Sequence, residues 1–207
     1  MSQYESIKIT YEFVPESGVK IGAGHGKYGI IDNSYRSRKT ATNEVLYPIP
    51  GTSVKGRIRA TLKKYSHILA IDSNAIIEGI FGKSGQAGWA HFSDLLPVQE
   101  KVSLGVQTST SIDRFRKAAK HQSLRMEEYA SLEKGNKYSG EIAGYRSIEK
   151  NNKELYALLF ALLATTHFGA DKTTGYGKGK IRITSVLKNG EPSTIDLIHD
   201  EIKDYLG

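Results

Sequence analysis

Hydrophobic and polar residues alternate strictly at the start of the chain, where Ile7, Ile9, Tyr11 and Phe13 are separated by Lys8, Thr10 and Glu12. A period of two predicts a first strand with one buried face. The pattern then dissolves into a glycine-dense stretch, Gly22-Ala23-Gly24-His25-Gly26-Lys27-Tyr28-Gly29, followed by a short apolar step at Ile30 and Ile31. Polar, basic sequence runs from Asp32 to Glu44, and Pro48-Ile49-Pro50-Gly51 reads as a rigid turn. Beyond it Val54, Ile58, Leu62, Tyr65 and Leu69 recur every three or four residues, the helical period, with Thr52 or Ser53 positioned to cap the helix. Lys55, Arg59 and Lys63 fall on another face, so one stripe packs inward while a row of cations faces out.

Residues 72–106 are mixed, with glycines around Phe81-Gly82-Lys83-Ser84-Gly85 and a strand-like Trp89-Ala90-His91-Phe92. Residues 107–127 are polar and basic with little periodicity, which predicts an inserted loop or hairpin. From Lys153 to Phe168 the chain is apolar on nearly every side and predicts a helix central to the core. A glycine–lysine stretch, Gly169 to Lys180, leads into an alternating strand at Ile181 and Ile183; Asn189-Gly190 marks a tight turn. Ser193 is expected to cap a last amphipathic helix carrying Leu197, Ile198, Ile202 and Leu206. No internal repeat is visible. Strand, helix, strands, large insertion, buried helix and strand predict a single α+β domain of the ferredoxin-like (RRM-like) kind over residues 1–207, its helices on one face of the sheet. Such a sheet is a common RNA platform.

Charge adds the first hint of a partner. The net charge is +7, but residues 31–64 alone carry +6, residues 113–125 carry +4 and residues 171–182 carry +3, leaving −6 for the remainder. A basic excess confined to three separated segments predicts one electropositive surface assembled by folding, as a polyanion requires. Three unrelated solvated faces are the alternative. The longest apolar run, Leu155 to Ala164, is too short to span a bilayer, and no leader-like segment precedes the first strand. With no cysteine there is no disulfide framework or thiolate metal site. No pair among the scattered histidines has the helical spacing of metal ligands, so a structural zinc site is not expected. A cytoplasmic location is expected.

Two stretches carry the chemistry of phosphate binding. In Pro50-Gly51-Thr52-Ser53-Val54-Lys55-Gly56-Arg57-Ile58-Arg59, a helix start offers unpaired N–H groups and the positive end of its dipole. Lys55, Arg57 and Arg59 add charge-assisted contacts, and Gly56 suggests that another backbone or a sugar approaches closely. The order of glycine and lysine excludes a Walker A loop. In the glycine–lysine stretch, Gly175, Gly177 and Gly179 would let the main chain near phosphates, Lys172, Lys178 and Lys180 supply charge, and Tyr176 could stack on a base. Contacts of this kind grip a nucleic-acid backbone without reading its sequence.

A buried helix followed by a glycine-rich Gly-Tyr-Gly-Lys-Gly stretch before the last strand resembles the RAMP superfamily of CRISPR RNA-binding proteins. The segment from Pro48 to Arg59 is similar to the Pro-Gly-Ser-Ser-hydrophobic-Lys-Gly segment of the repeated backbone subunit of type III, Csm-like effectors. Ser111-Ile112-Asp113-Arg114, with Ala118 and then Glu127-Glu128, resembles the part of that subunit leading into its thumb. The resemblance implies an RRM-like palm with an inserted thumb at residues 107–126, stacking of copies along guide RNA, and a thumb pressed into the guide–target duplex. It assigns guide phosphates to Lys55, Arg57, Arg59 and the loop from Lys172 to Lys180, with Arg114, Arg116, Lys117 and Arg125 on the thumb facing phosphates and unstacked bases.

The same resemblance makes Asp32, in Gly29-Ile30-Ile31-Asp32-Asn33-Ser34, the residue that carries target cleavage, with Mg²⁺ or another divalent cation as cofactor held at Asp32. The expected partners are guide RNA, complementary target RNA, further copies of the chain and other effector subunits, with no membrane. The chain departs from the family where Tyr35-Arg36-Ser37-Arg38-Lys39 lacks a second Asp, and where Asp171-Lys172-Thr173-Thr174 replaces a serine–arginine–glycine pattern. The alternative reading is therefore a non-catalytic guide-binding scaffold of the same complex. A guide-processing ribonuclease would need a His/Tyr/Lys set for which only His25 qualifies, and a stand-alone RRM lacks its aromatic signature here.

Overall fold

The computed structural model describes residues 4–26, 28–66, 73–98, 102–133, 135–147 and 152–193. The chain runs through β1 (Tyr4–Pro15), α1 (Gly51–Tyr65), α2 (Ser73–Phe81), β2 (Val102–Ser109), β3 (Arg125–Leu132), β4 (Tyr138–Ser147), α3 (Lys153–Leu163) and β5 (Gly179–Lys188), with two-residue strands between them. β1 lies between β4 and β5, antiparallel to both, and His91–Phe92 extends the sheet beyond β4. The result is a mixed α+β fold on an antiparallel sheet. Its order is consistent with a ferredoxin-like βαββαβ unit whose second strand has shrunk to His91–Phe92.

The period of two in β1 places Ile7, Ile9, Tyr11 and Phe13 in the core, each no more than 1% exposed. Val54, Ile58 and Leu62 of α1 and Leu155, Leu158, Leu159 and Leu162 of α3 pack onto them. α3 is central, as its all-round apolar sequence predicts, but it stops at Leu163 rather than Phe168. Thr165 turns its hydroxyl back onto the Ala161 carbonyl at 2.7 Å, a bond that competes with further helix. Phe168 is still buried, its ring edge-on to Phe13 at 4.9 Å. α2, which residues 72–106 did not announce, uses Ile77, Ile80 and Phe81 as its buried stripe; nine residues are too few to give a clear period. Asn189 and Gly190 both take positive φ in the predicted tight turn. The helix expected after Ser193 falls outside the described residues, as does Leu69.

The start of α1 differs from expectation. Helix begins at Gly51, directly after Pro50, and neither Thr52 nor Ser53 caps it with a side chain. The reason is crowding: a Cβ at Gly51 would lie 2.3 Å from the Phe92 carbonyl oxygen, so the turn is wedged against the sheet. Asp94 accepts the Gly51 N–H at 2.8 Å and Pro50 accepts the Ser53 N–H at 2.9 Å, so the orphan donors of this terminus are partly satisfied within the chain.

The sheet's open face is not an aromatic platform. Lys8 pairs with Glu141 at 2.7 Å and Lys137 with Glu12 at 2.6 Å, and Thr10 and Ser139 lie on the same face. Exposed aromatic rings occur there only at one end, at Tyr4 and Tyr145, among the described residues.

β2 and β3 form a separate antiparallel hairpin, from Val102 opposite Leu132 to Ser109 opposite Arg125. The stretch 107–126 is its outer part. The other edge of β3 is bridged by Val19 to Ala130 and by Asn33 to Glu127, so two loops dock on the hairpin base. Lys20 ties this junction together. Its side chain is 5% exposed, and its ammonium donates to Asp171 at 2.6 Å and to Glu127 at 3.2 Å while lying 4.4 Å from the Tyr176 ring centroid. Burial pulls the Lys20 pKa down, but the hydrogen bonds to Asp171 and Glu127 carry it above the ordinary lysine value.

A raised lysine pKa stabilises the fold fully below the unfolded value, and the contribution disappears as pH rises through the folded value. The stabilisation is therefore intact at neutral pH and fades only in strongly alkaline solution. Lys20→Met is expected to lower stability at pH 7 by about 1–3 kcal/mol, because the two carboxylates it leaves behind still reach water. The shift of the urea midpoint measures it; an unchanged midpoint would mean that the junction holds without the ammonium.

Candidate nucleic-acid interface

The glycine-dense loop folds back on itself and presents Asp32. Ala23 donates to the Ser34 carbonyl at 2.9 Å, and the Ser34 N–H and hydroxyl both donate to the His25 carbonyl, at 3.0 and 2.9 Å. A Cβ at Gly26 would lie 1.9 Å from the Ile31 carbonyl oxygen, so no other residue fits this return. His25 thus serves the loop through its backbone. Asp32 is clamped to β3 at two points: its N–H donates to the Met126 carbonyl at 2.9 Å, and its Oδ2 accepts the Met126 N–H at 2.7 Å.

Tyr35, three residues on, anchors the loop in the core. Its ring is 1% exposed, its hydroxyl donates to the Pro48 carbonyl at 3.2 Å, and its N–H donates to Glu128 Oε2 at 2.8 Å. Burial holds the phenol of Tyr35 far above its usual pKa and that of Tyr138 up to about 12, so both stay neutral. Lys20, Tyr35 and Glu128 were not foreseen as parts of the site. Tyr35 was readable only as the one aromatic in a polar stretch.

Asp32 is exposed, and its Oδ1 has no hydrogen-bond partner among the described residues. Among those residues there is no group of three or more His, Asp or Glu able to hold a metal. The residues present fit a hard cation that keeps most of its water and phosphate ligands and needs one protein carboxylate, with Asp32 Oδ1 as that ligand.

A second region gathers cations from distant parts of the chain. A cleft of about 220 Å³ between α1 and the segment after α3 is lined by Arg57, Lys64 and Lys172, with Thr61, Tyr65 and Thr166 and no acidic residue. Arg57 reaches across it, donating from Nε to the His167 carbonyl at 3.0 Å. Lys55 is half-buried on α1 and Arg59 exposed, and neither has an ion-pair partner among the described residues. Gly56 has nothing within 4 Å of a built Cβ, so the close approach it implied is not made by any described residue, and among these the space is open to an outside partner.

The C-terminal loop corrects part of the sequence reading. Gly177 and Gly179 are required by the fold itself: added Cβ atoms would lie 1.8 Å from the Phe168 oxygen and 2.5 Å from Phe13 and the Val14 oxygen. Only Gly175 has open space around it. Tyr176 is half-buried, its ring 5.3 Å from that of Tyr129 and against Lys20, so it is committed to the junction rather than free to stack. Lys178 and Lys180 share Glu16, at 3.0 and 3.9 Å, and the hydrogen bond and charge of Lys178 hold the Glu16 carboxyl below its usual pKa. Lys172 has no such partner among the described residues.

The hairpin tip is a third cationic group. Asp113 Oδ1 accepts the N–H groups of Phe115 and Arg116 at 2.9 and 3.0 Å, a side-chain turn that fixes the tip. Arg114, Arg116 and Lys117 are exposed around Phe115, which is 99% exposed. Arg125 begins β3 beside Met126, the residue that holds Asp32.

Gly56→Ala separates fold from binding. Alanine is expected to stabilise α1 by about 0.5–1 kcal/mol, since no described residue opposes the methyl group. It is expected to weaken affinity for single-stranded RNA by about tenfold, or ~1.4 kcal/mol, if a nucleic-acid backbone occupies the open space. Thermal unfolding and fluorescence anisotropy read the two effects; unchanged affinity would remove Gly56 from the interface.

A profile of the RAMP superfamily matches residues 16–180, which spans the Asp32 loop, α1, the hairpin and the C-terminal glycine–lysine loop. No curated protein matches the chain. No helix among the described residues is long and apolar enough to cross a membrane. Since the match covers most of the chain and every element of the interface, the protein belongs to the RAMP superfamily, whose members bind CRISPR RNA in effector complexes.

Proposed function

We propose that this chain is a repeated guide-RNA-binding backbone subunit of a type III, Csm-like CRISPR effector, and that it cuts complementary target RNA at Asp32. The observation that carries the reading is the clamp of Asp32 onto the base of the β2–β3 hairpin through Met126 at 2.7 Å. In this reading the main sheet and its helices are the palm and the hairpin is the thumb. Guide phosphates run past Lys55, Gly56, Arg57 and Arg59 and the cleft at Lys172. Phe115, exposed among Arg114, Arg116 and Lys117, has the chemistry to wedge between stacked bases while its neighbours hold phosphates.

Cleavage follows from a displaced nucleotide near Asp32. Stacking in an A-form duplex holds each ribose 2′-OH out of line with the adjacent phosphorus, and unstacking frees it. Asp32 Oδ1 accepts the hydrogen of that 2′-OH and aims its oxygen opposite the 5′ oxygen. The 2′ oxygen bonds to phosphorus as the bond to the 5′ oxygen breaks, leaving a 2′,3′-cyclic phosphate and a 5′-hydroxyl that takes its proton from solvent. Asp32 would hold a divalent cation, which when bound would supply neutralisation of the phosphate charge. Met126 fixes the other carboxylate oxygen, so the free one has a single direction. The isolation of Asp32 from other metal-ligating side chains among the described residues favours the second reading, a guide-binding scaffold that does not cut.

Guide-loaded assemblies of wild type, Asp32→Ala and Asp32→Asn, given labelled complementary RNA with Mg²⁺ or EDTA, decide between them. Wild type is expected to cut at regular intervals only with metal. Both variants should bind target within about twofold and cut at least about 100-fold more slowly. Equal cutting by all three, or none by wild type, would leave the scaffold reading.

A further inference from the structure

His167 stands outside every role assigned so far, and its setting is unusual for a histidine. It follows α3 and pairs through a β-bridge with Lys178, while its carbonyl accepts from Arg57 of α1. Arg57 of α1 is bound to its carbonyl, Lys178 in the lead into β5 is its bridge partner, and Lys172, from the short turn in the glycine–lysine loop, lines the cleft with the neighbouring Thr166. Of the carboxylates on the neighbouring segments, Glu16 is engaged with Lys178 and Lys180 and Asp171 with Lys20. The imidazole Nδ1 lies 2.8 Å from the Thr166 hydroxyl, and Nε2 has no hydrogen-bond partner among the described residues.

This arrangement accepts either protonation state without moving the ring. In the neutral form the Thr166 hydroxyl donates to Nδ1; in the charged form Nδ1–H donates to the hydroxyl oxygen, which needs only to rotate. What opposes the charged form is burial, reinforced by the charges of Arg57, Lys178 and Lys172, which together hold the His167 pKa below the usual histidine value. A phosphate entering between those cations cancels their repulsion and offers Nε2–H an anionic acceptor.

We propose that His167, which follows Thr166 at the edge of the guide-binding cleft, is a phosphate ligand that takes up a proton as the RNA backbone enters past Arg57 and Lys172. The inference rests on the RNA-binding reading of the cleft and is independent of cleavage at Asp32. It makes guide binding proton-coupled. With the pKa depressed in the free protein and raised in the complex, affinity rises as pH falls through the interval between the two values and levels off below it.

The test uses the full chain and a labelled, unstructured single-stranded RNA, with affinity measured by anisotropy between pH 8 and pH 5.5 at constant ionic strength. Wild type is expected to bind several-fold more tightly at the acidic end, with a slope of at most about one decade per pH unit for one proton. His167→Gln, which keeps a donor but cannot titrate, is expected to flatten the profile, whereas His91→Gln, at an exposed position on the sheet, leaves it intact. The His167 ring resonance in proton NMR is expected to titrate at higher pH in the RNA complex than in the free protein. A wild-type pH profile in His167→Gln, or an unmoved His167 titration, overturns the proposal. Affinity that survives Arg57→Ala with Lys172→Ala overturns instead the RNA-binding reading beneath it.

Discussion

One buried ammonium group holds the working half of this protein together. Lys20 joins the segment after β1 to Asp171 of the C-terminal loop and Glu127 of the hairpin base, and Tyr176 covers it. Lys20 lies more than a hundred residues in sequence from either carboxylate, and the three segments share no strand of the main sheet. A lysine withdrawn from water is stable only with such partners, so the junction forms as a unit or not at all. Met126, which fixes Asp32, is the residue next to Glu127. The loop that carries Lys172 begins at Asp171. The cation cleft and the Asp32 loop are thereby set on one rigid base.

Charge is distributed to match. The sheet's open face carries the ion pairs Lys8–Glu141 and Lys137–Glu12, with Arg182 exposed opposite Glu12. On α1, in the C-terminal loop and at the hairpin tip, Lys55, Arg59, Lys172 and the tip arginines are left without ion-pair partners among the described residues. In the proposed function a polyanion meets these helix and loop positions rather than the sheet, through backbone contacts that carry no sequence information. Sequence choice is left to the RNA strands. The terminus of α1 contributes less than its dipole suggests, because Asp94 already occupies the Gly51 N–H.

Much of this was legible in the residues. Alternation in β1, the all-round apolar α3 and the Asn189-Gly190 turn are local patterns, and each formed as an element, though α3 ends at Leu163 rather than Phe168. The hairpin was visible only as an absence of periodicity, since its strands expose alternate residues on both sides. The glycines misled because the same residue serves two ends: Gly56 is open to a partner, whereas Gly177 is pressed onto the Phe168 carbonyl. Lys20 and His167 left no local signal, and Tyr35 only that of a lone aromatic in a polar stretch. Their importance comes from contacts made by topology, and a polar residue buried by topology looks in sequence like any other.

The most direct test of the account is photocrosslinking of a 4-thiouridine-substituted RNA to the chain, with the attached peptides mapped by mass spectrometry. Crosslinks are expected in α1 from Lys55 to Lys64, in the stretch from Thr166 to Lys180 and at the hairpin tip around Phe115. Crosslinks confined to the outward residues of β1 and β4, such as Thr10, Ser139 and Tyr145, would contradict it and place the RNA on the sheet.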